Sequence, residues 1–380
     1  MYKSFFLKKR NFVALTAIFI LLALCGFNAY LPISPGIFTQ TQIDKIQTIP
    51  PSDHFSFAAK RYVVTLTIII ILLALMRFNA YLPIGPGNYN QTQIDKIHSI
   101  PPSDHFSFAV MGDSGHGFKI FKMILDSIDS NHYLFALING DFVLHGRKDN
   151  YRAFFHLIKN KKTPFLTAIG NHDLRHGSSK NYSDVFGKTY YSFCFGNSLF
   201  IILNVALDDR IDAMQMKWLE EQLQKYYKHK FVFFHVPPFD PRPGKNHSLQ
   251  DETDAKDLMA LIEKYKPDIV FNSHIHGYFD EMRSGVNYVI TGGAGQGLKM
   301  HGTSVDHHFH HYVKVDVEGD KVSKVAIHLP YKEIDSLMYH WWDGFYNFWV
   351  RQKLSVILYF TILILLVDVS IGAFKRFTGG

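Results

Sequence analysis

The sequence predicts an α/β fold, two packed β-sheets with helices outside, and two observations predict it. Between about residues 105 and 330, short apolar runs of strand length alternate with segments whose apolar residues recur at helical spacing. The later part of the same stretch is richer in strand-type runs than in helices, which favours a pair of stacked sheets over one long parallel sheet.

The elements follow in order. FSFAVM at 106–111 has the composition of a buried strand. Phe118–Ser130 places Ile120, Phe121, Ile124, Leu125 and Ile128 on one helical face. YLFALIN and PFLTAI are further strands, with the amphipathic segment Tyr151–Lys159 between them. YYSFCF and LFIILNV follow, then the helix Ala213–Tyr227, the strand KFVFF, the helix Ala255–Tyr265 and the strand PDIVFNS. NYVITG, HHYVKVDV and KVAIHL complete the β-rich end.

Five of the strands run straight into polar motifs: Gly112-Asp113-Ser114-Gly115, Gly140-Asp141, Gly170-Asn171-His172-Asp173, His235, and His274-Ile275-His276. Side chains just past the C-terminal ends of strands gather at the sheet edge where α/β proteins bind ligands. Asp113, Asp141, Asn171, His235, His274 and His276 make an oxygen and nitrogen donor set without thiolates, suited to Mn, Fe or Zn.

The ordered set GD, GD, GNHD, H, HxH resembles that of the calcineurin-like metallophosphoesterases, nearest the purple acid phosphatase-type branch. The resemblance covers about residues 105–330 and implies a four-layer αββα sandwich with a dinuclear metal site at one edge. It implies Asp113 and His276 on metal one, Asp141 bridging, and Asn171, His235 and His274 on metal two. Two cations held about 3.5–4 Å apart call for a shared carboxylate, and they activate water and clamp phosphoryl oxygens. The cofactors so implied are two divalent or mixed-valence ions. His172 is then the general acid toward the leaving oxygen, with Asp173 orienting its ring and raising its pKa.

This chain departs from the family pattern at three places. Gly115 stands where many members have a His ligand, and Leu144 where the purple acid phosphatases have a Tyr ligand. Metal one is therefore short of a protein ligand, with His116 and His145 as candidates to fill the gap and water as the default. Ser273 replaces the usual Gly before the last motif, a change a tight turn tolerates. Arg147 and Arg175 follow two motifs and are candidate phosphate contacts. His307, His308, His310 and His311 read as a solvent-edge strand, and Gly292–Gly297 as a wall of the pocket. The competing function is a catalytically weak or inactive metal-binding scaffold of the same fold.

Composition narrows the remaining classes. With 380 residues, 47% apolar and 19% charged, the chain is not disordered, and its net charge of +7 includes no basic block interleaved with aromatics. A nucleic-acid partner is therefore not expected, while a phosphate-ester substrate and a lipid bilayer are; oligomeric state is not indicated. Cys25 and Cys194 do not build a disulfide framework.

The N-terminal part is duplicated. Residues 27–58 recur at 78–109 with six differences, each copy preceded by a basic flank and an apolar run, Phe12–Phe27 and Tyr62–Met76. A third apolar run, Leu354–Ala373, follows a cluster of Trp and Tyr and precedes Lys375-Arg376, the flanks of a membrane helix. The expected domains are 1–58 and 59–104 as tandem anchor-plus-linker copies, 105–330 as the catalytic domain, and 331–380 as an interfacial segment and transmembrane helix. Positive residues at both termini predict two crossings with the catalytic domain outside the cytoplasm. A reporter fused after Thr378 is expected to read as cytoplasmic; the opposite reading would end the two-crossing arrangement.

Overall fold

The structure, a computed structural model, describes residues 67–71, 85–115, 117–175, 179–206, 210–298, 307–329 and 361–365. Two compact units are distinguished, Leu82–Lys353, and Met1–Tyr81 with Leu354–Gly380. In the second unit the described residues, 67–71 and 361–365, are helical. Among the described residues no helix is long and apolar enough to cross a membrane. The membrane helices expected from Phe12–Phe27, Tyr62–Met76 and Leu354–Ala373 lie largely outside the described residues, as does the first repeat copy.

The larger unit contains a five-stranded and a six-stranded sheet. The first has β1 (His105–Met111), β2 (Phe135–Asn139) and β3 (Phe165–Ala168) in parallel, extended by the antiparallel pair β10 (His311–Glu318) and β11 (Lys321–His328), in the order β11-β10-β1-β2-β3. The second comprises β4 (Tyr191–Phe195), β5 (Ser198–Ile202), β6 (His229–Phe233), β7 (Ile269–Asn272), β8 (Tyr278–Arg283) and β9 (Val286–Thr291). Its order is β4-β5-β6-β7-β9-β8, with β5, β6, β7 and β9 parallel.

Alternation along the strands explains the layering. Phe108 and Val110 of β1, Phe135 and Leu137 of β2, Phe200 and Ile202 of β5, and Phe231 and Phe233 of β6 meet in one core between the sheets. The intervening residues face outward. Ala109, Met111, Ala136 and Ile138 pack on α2 (Phe118–Ser130), α3 (Lys148–Ile158) and α5 (Ser179–Phe186). Leu199, Ile201 and Val232 pack on α6 (Ala213–Leu223) and α7 (Glu252–Tyr265). A strand buried on both faces must be apolar at every position, which is why these runs lack a polar alternation. The result is helices, sheet, sheet, helices, with two mixed sheets.

A polar linker was expected ahead of the first strand, but Tyr89–His98 is a helix, α1, packed on the domain. Ile94 and Ile97 enter the core between the sheets. The amide of Asn90, 3% exposed, accepts from the Thr167 backbone N–H at 3.1 Å and donates to the Thr167 carbonyl at 3.3 Å. It thereby satisfies the outer edge of β3 as a neighbouring strand would. Asn90→Ala strands the Thr167 N–H in the interior, with an expected loss of ~1–3 kcal/mol in urea unfolding. An unchanged midpoint would mean that water reaches this edge.

Candidate metal centre

Every motif lies where a strand of one of the two sheets ends. Asp113 follows β1, Asp141 follows β2, Asn171 opens the one-turn helix α4 (Asn171–Leu174) after β3, His235 follows β6, and His274 follows β7. Asp113, Asp141 and His274 all adopt left-handed backbone angles, with φ of 60, 52 and 67°. Such angles are uncommon for residues with a side chain and collect at functional sites. The turn before Asp141 needs a glycine: Gly140 has φ of +86°, and a Cβ there would lie 2.5 Å from His235 Nδ1.

The two sheets are joined at this edge by Asn139, the last residue of β2. Its side-chain amide donates to the Phe234 and Phe271 carbonyls at 3.2 and 3.1 Å. Its own carbonyl accepts from His235 Nδ1 at 2.9 Å, which turns His235 Nε2 toward Asp141 Oδ2, 3.2 Å away. His276 is held in the same way. Nδ1 donates to the Gly297 carbonyl at 2.8 Å and Nε2 stands 3.6 Å from Asp113 Oδ1. A carbonyl that takes the Nδ1 proton leaves the Nε2 lone pair for a cation.

His274 Nδ1 lies 3.2 Å from Asn171 Oδ1 and 3.3 Å from His235 Nε2. Ligand atoms of Asp141, His235 and His274 fall within 4.8 Å of one another, and all three residues are buried. The structure thus brings together the metal-two group, Asp141, Asn171, His235 and His274, and sets Asp113 with His276 beside it. The His274 backbone N–H links the two groups by donating to Asp113 Oδ2 at 2.8 Å. Converging lone pairs in a buried pocket repel until a cation or proton sits among them, so the donor set fits a metal.

The electrostatics carry the same stamp. Burial by itself would depress His235, but the adjacent Asp141 carboxylate outweighs it and lifts the ring to about 10. The Asp141 carboxyl is lowered, because the imidazole of His235 overcomes the cost of burial. His274 falls to about 2, from burial and from the positive charge of His235. Without metal, the Asp141 carboxylate thus favours the charged form of His235, while His274 is held neutral.

His172 and Asp173 do not form the expected pair. Asp173 is the third residue of α4, and its carboxylate reaches back to the Gly170 N–H at 2.8 Å. It also accepts from the Asp141 N–H at 2.9 Å and the Val143 N–H at 3.0 Å. A helix-capping carboxylate is consumed by backbone donors. Asp173 therefore locks the loop bearing Asp141 to the loop bearing Asn171.

The His172 ring is oriented instead by the Leu144 carbonyl, 3.2 Å from Nδ1, with Arg175 Nη1 at 3.3 Å from the same nitrogen. Its Nε2 points inward, 3.9 Å from Asp141 Oδ2. The expected rise in its pKa is also reversed. Burial lowers it, and Asp141 opposes the shift without cancelling it.

The remaining expectations sort by position. Arg175 lies beside the His172 ring, whereas Arg147 pairs with Asp149 at the start of α3, its side chain 62% exposed. His116 lies outside the described residues. Ser273 is accommodated because its hydroxyl donates to the Thr291 carbonyl at 3.0 Å. His310 and His311 are buried rather than at a solvent edge, and His311 Nε2 meets Thr291 Oγ1 at 3.1 Å. Two contacts at the site were not foreseen. His247, in a loop without a readable motif, packs its ring against that of His274, tilted by 43° with centroids 4.0 Å apart. Gln296, in the glycine-rich loop, packs against Gly115.

Comparison with known proteins decides the family. Residues 106–278 match the model of the calcineurin-like phosphoesterase family. This segment is a calcineurin-like phosphoesterase domain. The chain is 27% identical over 145 residues to purple acid phosphatase 23 of Arabidopsis thaliana, covering 34% of this chain and 31% of that protein. It is 23% identical over 186 residues to the serine/threonine-protein phosphatase CPPED1 of Pongo abelii, covering 43% of this chain and 59% of the relative. The chain thus spans less than two thirds of either relative, and both are phosphatases. Among solved structures, the purple acid phosphatase PPD1 from yellow lupin seeds matches with a TM-score of 0.47 and 18% identity, over 57% of this chain and 50% of that one.

In this calcineurin-like domain, Asp173→Ala removes an acceptor from three buried N–H groups. Both thermal stability and metal affinity are expected to fall, by at least ~2 kcal/mol in stability. His172→Ala should leave both nearly unchanged. Equal effects of the two substitutions on stability would refute the division of labour between them.

Proposed function

We propose that this domain is a dinuclear-metal-dependent phosphoesterase that hydrolyses phosphate esters with His172 as general acid. The convergence of Asp141, His235 and His274, with His172 Nε2 directed at the same carboxylate, carries the proposal. Asp113, Asp141 and His276 would hold one ion, and Asp141, Asn171, His235 and His274 the other. When bound, the ions supply Lewis acidity toward phosphoryl oxygens and acidify a water. The rest falls to the side chains.

His172 donates a proton from Nε2 to the leaving oxygen, and its Nδ1–H on the Leu144 carbonyl keeps the ring in place. Arg175, beside the same ring, is within reach of an anionic substrate. The apolar runs at 12–27, 62–76 and 354–373 support a membrane-anchored enzyme whose domain faces away from the cytoplasm. That placement puts lipid-linked phosphate esters within reach of the site.

Purified full chain in detergent, loaded with Mn²⁺, is expected to hydrolyse p-nitrophenyl phosphate or its bis-ester, and chelation should abolish turnover. A folded, metal-loaded chain that hydrolyses neither is a scaffold rather than an enzyme.

His172→Ala is expected to lose ~10²–10⁴-fold toward alkyl phosphates, which need protonation of the leaving oxygen, and much less toward p-nitrophenyl esters. Since burial lowers the His172 pKa, its acid form disappears as pH rises through a value below about 6.5. Turnover of alkyl phosphates should decline over that interval in the wild type. His172→Ala should lack the decline; if it keeps it, another group is the acid.

A further inference from the structure

Asp113, Asp141 and His276 leave one ion of the proposed pair with three protein donors, because Gly115 and Leu144 stand where the family patterns supply a fourth. The space beside Gly115 is not empty. A Cβ built on Gly115 would lie 2.6 Å from Gln296 Oε1 and 2.9 Å from Gln296 Cδ, so the Gln296 amide stands where a side chain at 115 would begin. Gly115 itself has φ of +39°, a backbone conformation that favours glycine.

The loop carrying Gln296 is tied to the site on both sides. The Gln296 N–H donates to the Asp113 carbonyl at 2.8 Å. The next residue, Gly297, gives its carbonyl to His276 Nδ1 at 2.8 Å. The Gly115 N–H in turn donates to the Asp141 carbonyl at 2.9 Å. Gln296 is therefore fixed by the Asp113 backbone, with its neighbour Gly297 on the His276 ring and Gly115 on the Asp141 backbone. Its Oε1 is shut off from solvent and meets no hydrogen-bond donor among the described residues. Buried amide oxygens are ordinarily hydrogen-bonded, and one that is not has its lone pairs available to a cation.

We propose that Gln296, through Oε1, is the fourth protein ligand of metal one, replacing the side chains that Gly115 and Leu144 do not provide. The assignment rests on the dinuclear reading of the site. A neutral amide oxygen suits Mn²⁺ and similar ions that take oxygen ligands. It reaches the metal from the loop after β9, whereas the family patterns draw the ligand from the loops after β1 or β2. The exchange also accounts for Gly115, since a larger residue there would push the amide aside.

Metal binding tests this without relying on turnover. Full chain stripped of metal is titrated with Mn²⁺, following stoichiometry by calorimetry and the coupled-pair signal by electron paramagnetic resonance. Wild type is expected to bind two ions and show the coupled signal. Gln296→Met keeps the size but removes the oxygen. It should keep one ion and weaken the other by at least the ~10–100-fold that losing a group merely supporting a ligand costs. The coupled signal should vanish with it.

Gln296→Glu should hold both ions, the second more tightly, and it decides the matter if the methionine variant does not fold. His116→Ala should bind as wild type does. Gln296→Met with wild-type affinity for both ions overturns the assignment, as does loss of the second ion on His116→Ala alone. Wild type that binds fewer than two ions refutes the dinuclear reading and this ligand with it.

Discussion

The geometry of the candidate site depends on one residue shut off from solvent. Asn139, fully buried at the end of β2, sends its amide into the carbonyls of Phe234 and Phe271 in the opposite sheet and its own carbonyl to the His235 ring. Two sheets packed through apolar side chains are free to slide by small amounts, because apolar contacts carry no direction. Hydrogen bonds do carry direction, and those of Asn139 register the strand ends of one sheet against those of the other. The Asp141 and His235 donors, contributed by different sheets, meet at 3.2 Å for that reason.

Around this clamp the site is held by the backbone as much as by side chains. Three candidate donor positions carry left-handed φ angles, and the Asp173 carboxylate binds together the turns before Asp141 and Asn171. A strained turn persists only when its surroundings over-determine it. Here the surroundings are the αββα sandwich itself, whose inter-sheet core of stacked and edge-on phenylalanines, Phe108, Phe135, Phe200 and Phe231 among them, keeps the strand ends fixed. Rigid elements beneath mobile chemistry are what a preorganised metal site requires.

The corrections to the sequence reading have separate physical causes. Asp173 and His172 are neighbours in sequence, and pairing them is natural. Yet an acid three residues after a helix-capping Gly satisfies backbone donors first, and that signal stood in Gly170-Asn171-His172-Asp173 all along. Tyr89–His98 read as linker because its apolar residues are few, although Tyr89, Ile94 and Ile97 are buried and Asn90 mimics a strand. His247 had no legible signal, and for Gln296 only its glycine-rich loop was legible, as a wall of the pocket. The path of the His247 loop is set within the loop by Asp240, whereas the Gln296 backbone is held by the distant Asp113.

What the sequence determined by itself was the order of most strands and helices, the family, and which candidate donors stand at the strand ends. Periodicity and short motifs are local, and the ends of buried strands are the places where a polar residue must have a use. What only the tertiary structure decided was which atoms meet. The Leu144 carbonyl rather than Asp173 orients His172, and Gln296 fills the room left by Gly115. Those contacts join residues 28 and 181 positions apart in the chain, across turns whose direction is fixed by the packing of two sheets. No local pattern encodes that distance.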